Sequence, residues 1–494
     1  MSRAVGELTE ADPRAAVAPA GPVRFGRPLR WSPYLLAAGF AALYAAYSLS
    51  RQLRIQTAGY DLGIFTQAVQ GYADLSAPTV TIKGAGFNLL GDHFHPILVL
   101  LAPFYRLVPS VGTLLVAQAV LIAVSIIPIG RLAIARLGPW SAVAVMIAYG
   151  LSWGLQGAIA FDFHEIAFAV PLLAFAAVAL VEQRWAAAAA WTLPLLAVKE
   201  DLGATVAAIG LYLLLRRQWR LGALVTGAGV VVSALVVFVV IPALNPFGVF
   251  RYWNTFGGDP TGGPGQVDLP HLLLHLPASL VSPEQKLHTL GMLVVITAGA
   301  ALLSPLTLLV LPTLLWRFSS PKPLFWDTGT VHYNAILMPI LFVAFVDAVA
   351  RLRGSPSRIA RGYATAAVPA VLVIALAVLP QFSFRELAHA STWRAGPRVT
   401  AAHQVLGMVP SGARVSVSNY LIPQIVDRCR VVIFPRHLLP GLEVEWIVVD
   451  SRSLKGVPDP AQAQVAAFER LRDGRDPRFV QVAERDGFYL FRRR

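Results

Sequence analysis

The stretch GDHFHPILVLLAPFYRLVPSVGTLLVAQAVLIAVSIIPIGRLAIAR, residues 91–136, decides how this chain must fold. It opens with Asp92, His93 and His95, three ionisable groups within five residues. The apolar run that follows, residues 96–108, is too short to cross a bilayer and reads as a half-helix lying at one face. The next run, 111–134, has the roughly 20 apolar residues that a crossing of ~30 Å of hydrocarbon needs. It ends among Arg131 and Arg136. Short segments rich in Arg and Lys stay cytoplasmic, so the basic end is read as the inner one and the Asp/His threshold as the outer one.

Composition extends that reading to the whole chain. Of 494 residues, 56% are hydrophobic and 14% charged, and the mean hydropathy is +0.61. A soluble protein of this size could not hide so much apolar surface, so the expected fold class is a polytopic α-helical membrane protein. Apolar runs at 32–49, 111–134, 140–159, 166–181, 185–198, 202–215, 221–244, 287–303, 305–316, 331–350 and 363–379 give about eleven crossings. Residues 1–31 are then a cytoplasmic tail and 32–384 the transmembrane domain, with outer loops at 51–95 and 245–286. The net charge of +14 falls mostly in short loops between apolar runs, which reads as topology and not as a nucleic-acid surface. The single cysteine, Cys429, excludes an intramolecular disulfide and a Cys-based metal site.

Beyond about Arg385 the pattern changes. ARVSVS and EWIVVD read as strands, AQAQVAAFERLRD as a helix, and FVQVAERDGFYLF as a hairpin turned at Asp486-Gly487. Residues 385–494 are thus expected to form a small α/β domain, placed outside by the odd crossing count. It lacks a Gly-rich phosphate fingerprint, and a binding or structural role suits it better than chemistry.

Five polar clusters fall at the outer end: YDLGIFTQAV from Tyr60, GDHFHP from Gly91, FDFHE from Phe161, KED from Lys199 and HYN from His332. Polar groups at membrane depth are costly and usually face a cavity, so the clusters are expected to meet in one pocket. Tyr60, Gln67, His93, His95, Lys199, Glu200, Asp201, His332, Tyr333 and Asn334 are its candidate substrate-binding residues. Lys199, with Arg54 and Arg317, offers charge-assisted donors to a phosphate. Asp92, His93, Asp162, His164 and Glu165 have the oxygen and imidazole chemistry that holds a divalent cation such as Mg or Mn. A carboxylate there can equally act as general base toward an acceptor hydroxyl. Plainer readings exist for each residue: Asp61, Asp92 or Asp201 as helix caps, Lys199-Glu200-Asp201 as a self-neutralising trio, His332 as an interfacial histidine. His271, His275 and His288 read as structural. Nucleotide sugars and ATP are not available at an outer face, so a lipid-linked donor is the natural substrate for an enzyme there.

The succession YDLGIFTQAV, GDHFHPILVLLAPFY, FDFHEIAFAVPLL, KEDLG and an HYN element ending at Pro339 resembles a family of predicted bacterial membrane proteins, domain of unknown function 2079, grouped with the GT-C glycosyltransferases. The resemblance covers nearly the whole chain. It implies an inverting membrane glycosyltransferase of the bacterial inner (plasma) membrane and cell envelope, moving a sugar from a polyprenyl-phosphate donor to a glycan, lipid or protein acceptor at the extracytoplasmic face. It also implies an essential acidic residue in the first outer loop, whose counterpart here is Asp61. His95-Pro96 is similar to the His-Pro-Pro element of protein mannosyltransferases, with Ile97 in place of the second proline. Many GT-C enzymes pair two adjacent acids in this loop; Leu62 follows Asp61, and Asp92 is the candidate for the second carboxylate. A secondary transporter, or a receptor or scaffold with a non-catalytic outer domain, is the alternative. Charges gathered at one end and the lack of an evident internal repeat favour the enzyme.

Overall fold

The computed structural model describes residues 30–252, 274 and 277–494. Nearly all of the expected N-terminal tail, much of the 245–286 loop, and His271 and His275 lie outside the described residues.

Most of the chain is helix, because within a bilayer a helix satisfies its backbone hydrogen bonds without water. Ser32–Leu53 has Pro33 in its first turn, where a missing N–H is harmless. Val111–Val124 runs on through Ser125 into Ile126–Leu137 as one 27-residue segment. Among the described residues, four segments are long and apolar enough to cross a membrane: Val111–Leu137, Trp219–Leu244, His332–Arg353 and Arg358–Gln381. Pro139–Gly150 and Trp153–Ala160 make a fifth if their 41° bend lies within one span.

Every run read as a crossing contains helix, and four of these helices, close to the expected bounds, are short for a full crossing. Glu165–Val181, Trp185–Ala197, Leu202–Leu215 and Pro305–Ser319 have 10–17 residues. At ~1.5 Å per residue, the 14 residues of Leu202–Leu215 reach only about 21 Å. The run at 287–303 is broken: its helix, Glu284–Val295, gives way to left-handed backbone at Ala298 and Gly299.

Burial sorts the bundle. The His332–Arg353 segment is 78% buried, and its helix Leu337–Arg353 packs on Ala169–Val181, Ile126–Leu137 and Arg358–Val378. Trp219–Leu244 and Arg358–Gln381 are only 22% and 28% buried, and turn Phe238 and Val373 outward. Leu202–Leu215 lies close against Trp219–Leu235 because glycines meet there: a Cβ on Gly229 would stand 2.6 Å from the Gly203 carbonyl oxygen. The basic ends gather together. Arg353 donates to the Leu137 carbonyl at 2.7 Å, Arg351 to that of Leu303 at 2.7 Å, and Arg216 shares a cleft with Asp347 and Arg351.

The C-terminal sheet has five strands: β1 (Arg414–Val417), β2 (Arg430–Ile433), β3 (Trp446–Asp450), β4 (Phe479–Arg485) and β5 (Phe488–Arg493), in the order β2-β1-β3-β5-β4. β1 pairs in parallel with β2 and β3, and β5 antiparallel with β3 and β4. Asp486 (φ 49°) and Gly487 (φ 83°) turn the terminal hairpin, both with the positive φ that a tight two-residue hairpin turn demands. Strand alternation divides the sheet into two faces. Ile447, Val449 and Phe491 close a small core with Phe468 and Leu471 of the helix Ala461–Arg472. Val415, Val417, Val448 and Leu490 face the other way, into a core continuous with the helical bundle.

This second face fixes where the domain sits. Ile422 packs on a π-turn, Gly59–Gly63, so closely that a Cβ on Gly59 would lie 2.4 Å from the Ile422 Cβ. Gln52 Nε2 donates to the Pro423 carbonyl at 2.7 Å, Gln424 Nε2 to that of Gln52 at 2.7 Å, and Gln70 Nε2 to that of Val426 at 3.0 Å. The C-terminal domain and the 51–95 segment therefore occupy the same end of the bundle, away from the gathered arginines.

Candidate active site

The π-turn Gly59–Gly63 leads into the helix Ile64–Ala73 and carries Asp61 at its centre. π-turns put one extra residue into a helical ladder and are frequent at functional sites. Asp61 keeps 36% of its side chain exposed and faces His164 Nε2 at 3.7 Å. The imidazole of His164 in turn stacks on His332, ring centroids 3.8 Å apart, and on Phe161 at 5.0 Å. His164 reaches this position through Asp162, whose left-handed backbone (φ 62°) breaks the chain away from Trp153–Ala160. Gln118 secures the turn, accepting from the His164 N–H at 2.9 Å and donating to the Asp162 carbonyl. The Asp162 carboxylate accepts from the Ala58 N–H at 2.7 Å and lies 4.0 Å from Arg51. Burial pushes its pKa up to about 6 against the pull of Arg51.

Three further ionic pairs lie at the same end. Glu165 and Lys199 pair at 2.8 Å, Glu165 nearly sealed from solvent and Lys199 mostly covered. His93 Nδ1 meets Glu200 Oε1 at 2.5 Å, while the second Glu200 oxygen accepts from the Phe94 N–H at 3.0 Å. Asp92 binds Lys83 and lies 3.3 Å from the Tyr252 hydroxyl, whose ring stacks on His93 at 4.2 Å. Burial alone would raise the Asp92 carboxyl, but the Lys83 ammonium holds it below the usual carboxylate range. His95 sits between these groups and feels the charges of Glu165, His93, Glu200 and Lys199. Both ring nitrogens of His332, Nδ1 of His95 and of His164, and Asp201 Oδ1 are buried without a hydrogen-bond partner. Native interiors pair nearly all such atoms, and an orphaned set in one region needs an explanation.

The structure thus brings Asp61, His164, His332, Tyr333, Glu165, Lys199, His93, His95, Glu200, Asp201 and Asp92 to one end. Other candidates are committed to holding the fold. Gln67 is buried, donating to Thr81 Oγ1 and the Val431 carbonyl at 2.9 Å each and accepting from the Ile82 N–H. Asn334 accepts from Arg317 at 3.0 Å and donates to the carbonyls of Asp327 and Thr328. Arg317, wholly buried, also donates to the Phe325 carbonyl at 2.6 Å, and so braces the HYN segment from below. Tyr60 gives its N–H to Asn419 of the C-terminal domain at 2.8 Å. Arg54 lies 3.6 Å from Glu386.

The five residues read as cation ligands do not converge. Asp92 is held by Lys83, His93 by Glu200, Glu165 by Lys199 and Asp162 by the Ala58 amide, while His164 faces Asp61. Among the described residues no three His, Cys, Asp or Glu side chains assemble into a cation site. Lys83, Tyr252, Arg51 and Gln118 were invisible to the sequence reading. A lone Lys in TIKGAGF and a lone Gln in an apolar helix carry no local signal of a partner far along the chain.

The family model described as predicted membrane protein (DUF2079) matches residues 51–490. No curated protein matches the sequence. Among solved structures, ArnT from Cupriavidus metallidurans bound to undecaprenyl phosphate shares the fold, with a TM-score of 0.54 and 13% identity over 93% of this chain and 98% of that one. The same protein in the apo state gives a TM-score of 0.52 and 14% identity, over 94% and 98%.

Proposed function

We propose, from the premise that this chain belongs to the DUF2079 family of predicted membrane proteins, that it is a GT-C-type glycosyltransferase using a polyprenyl-phosphate-linked sugar at the extracytoplasmic face of the bacterial inner membrane. The observation that carries the reading is the convergence of Asp61, the stacked His164 and His332, and the Glu165–Lys199 pair at the end covered by the C-terminal domain. The fold shared with ArnT, one structure of which holds undecaprenyl phosphate, supports a lipid-phosphate donor.

In the proposed reaction the Asp61 carboxylate takes the proton of an acceptor hydroxyl. The freed oxygen attacks the anomeric carbon of the donor from the face opposite the phosphate. A new glycosidic C–O bond forms as the C–O bond to phosphate breaks, so the anomeric configuration inverts and polyprenyl phosphate leaves. Lys199, its charge held by Glu165, is the candidate to steady the leaving phosphate. Its pKa is raised, burial notwithstanding, because Glu165 lies against it, so it stays cationic. His164, 3.7 Å from Asp61, is placed to orient that carboxylate. No step is routed through a cation, because the candidate ligands are spent on other partners.

The test is transfer of label from polyprenyl-phosphate-linked sugars by the purified chain in nanodiscs. Release of polyprenyl phosphate coupled to a new glycoside supports the reading. Donors that bind but never turn over, with acceptors drawn from the cell envelope supplied, would defeat it.

A further inference from the structure

A second cleft opens between the C-terminal domain and the end of the first helix, with a volume of about 490 Å³. Five cationic side chains line it, Arg51, Arg54, Arg398, Arg452 and Lys455, against one acid, Asp450. Arg398 already holds that acid at 2.5 Å, and Arg452 is occupied by Asp486 at 2.5 Å. Lys455 has no ion pair among the described residues. Arg51 Nε and Arg54 Nη2 are buried without a hydrogen-bond partner, although Glu386 lies 3.6 Å from the latter. Tyr420 and Phe488 add ring faces to the same wall, and the Arg398 guanidinium lies 4.2 Å over the Phe488 ring.

We infer that this cleft binds an acidic saccharide, one bearing carboxylate or phosphate, as the acceptor of the transfer proposed above; only the word acceptor rests on that reading. Guanidinium groups grip carboxylate and phosphate through paired hydrogen bonds, and Lys455 adds a mobile point charge. Aromatic faces beside them suit the C–H faces of a sugar ring. The volume lies within the ~300–1,000 Å³ usual for small-molecule sites. Eight of the twelve lining residues come from the C-terminal domain, so the wall belongs mainly to the domain and not to a lipid-facing helix. The cleft adjoins the candidate active site through Arg51, which lines it and lies 4.0 Å from Asp162.

Calorimetry on the full chain in detergent, with no donor present, tests this with three tetrasaccharides: galacturonate, phosphorylated maltotetraose and neutral maltotetraose. Either acidic sugar binds and the neutral one does not, affinity falls as NaCl is raised, and Lys455→Ala and Arg452→Ala each weaken binding roughly fivefold. Which acidic sugar binds tells whether the recognised group is carboxylate or phosphate. Equal binding of the neutral sugar, absence of heat with both acidic sugars, or indifference to both substitutions overturns the inference. Loss of acidic-sugar binding only in nanodiscs of anionic lipid would assign the cleft to headgroups and overturn it as well. Because the readout needs no turnover, its failure leaves the transferase reading standing, and failure of transfer leaves the cleft standing.

Discussion

Asp61 sits third in a π-turn that begins after Ala58, and its carboxylate caps no helix. The plain reading of this residue as an N-cap therefore has no geometric support, and Asp201, although at a cap position, makes no cap hydrogen bond through its side chain either. Asp61→Asn keeps the shape and removes the proton-accepting charge. Transfer is expected to fall ~10²–10⁴-fold, the usual cost of losing a general base. The melting temperature should hardly move, since no hydrogen bond of the turn depends on that charge. A stable variant with full transfer would remove Asp61 from the chemistry. Asp92 differs in kind: it is tied to Lys83 and to Tyr252, which suits a charge that organises the first loop.

Among elements, the π-turn and the segment Asn419–Gln424 depend on each other, because Gly59 and Gly63 leave the space that Ile422 fills. Gly59→Ala brings a methyl to 2.4 Å from a branched side chain, and overpacking of this kind costs ~1–3 kcal/mol. The variant should melt lower and be cut more readily by protease between the bundle and residue 397. Ile422→Gly in the same chain, which removes the Cβ that the new methyl meets, should recover part of the loss; no recovery would mean that the glycines serve the turn itself. Within the sheet domain, His437 is buried beside Ser416, at 3.2 Å, and Phe434. Burial lowers its pKa from the ordinary 6.5 to about 4, Arg478 adding to the effect and Asp476 opposing it. A group whose folded pKa is depressed gives its full stability above the unfolded value and loses it as pH falls toward the folded one. Between pH 6.5 and 4 the domain should therefore lose about 3 kcal/mol, at ~1.4 kcal/mol per pH unit. Thermal unfolding of the full chain, followed at a fluorescent label placed on the C-terminal domain, reads this, and His437→Gln should flatten the profile; an unchanged slope would show that other groups set it.

At the scale of the molecule, the C-terminal domain rests on the 51–95 segment and the arginine-rich loops collect at the opposite end, so one topology measurement orients the whole chain. A reporter that works only in the cytoplasm, fused after Arg494, should be silent, and one fused after Arg353 should be active; the reverse pattern would turn the site toward the cytoplasm and remove the case for a lipid-linked donor. The helical bundle, the hairpin at Asp486-Gly487 and the half-helix after His95-Pro96 were legible in the chain because hydropathy, period and turn chemistry act over a few residues. Strand β2 was missed because Val431, Val432 and Ile433 are consecutive apolar residues without alternation, whereas β1, equally short, alternates Val with Ser. The runs expected at 202–215 and 305–316 are helical, as Leu202–Leu215 and Pro305–Ser319, but each falls short of the roughly 20 residues that a full crossing needs. The family resemblance was carried by the order of the polar clusters. Tertiary structure alone decided that Gln67 and Asn334 hold backbone, that Glu165 takes Lys199, that His164 lies on His332, and that Ile422 closes over the Asp61 turn. Glu165 and Lys199, like His164 and His332, come from separate stretches of chain, and a buried charge or imidazole takes whichever partner the packing of the bundle leaves beside it. That choice is made by exclusion of water and by the few ångströms between helix ends, and neither is written in any local run of residues.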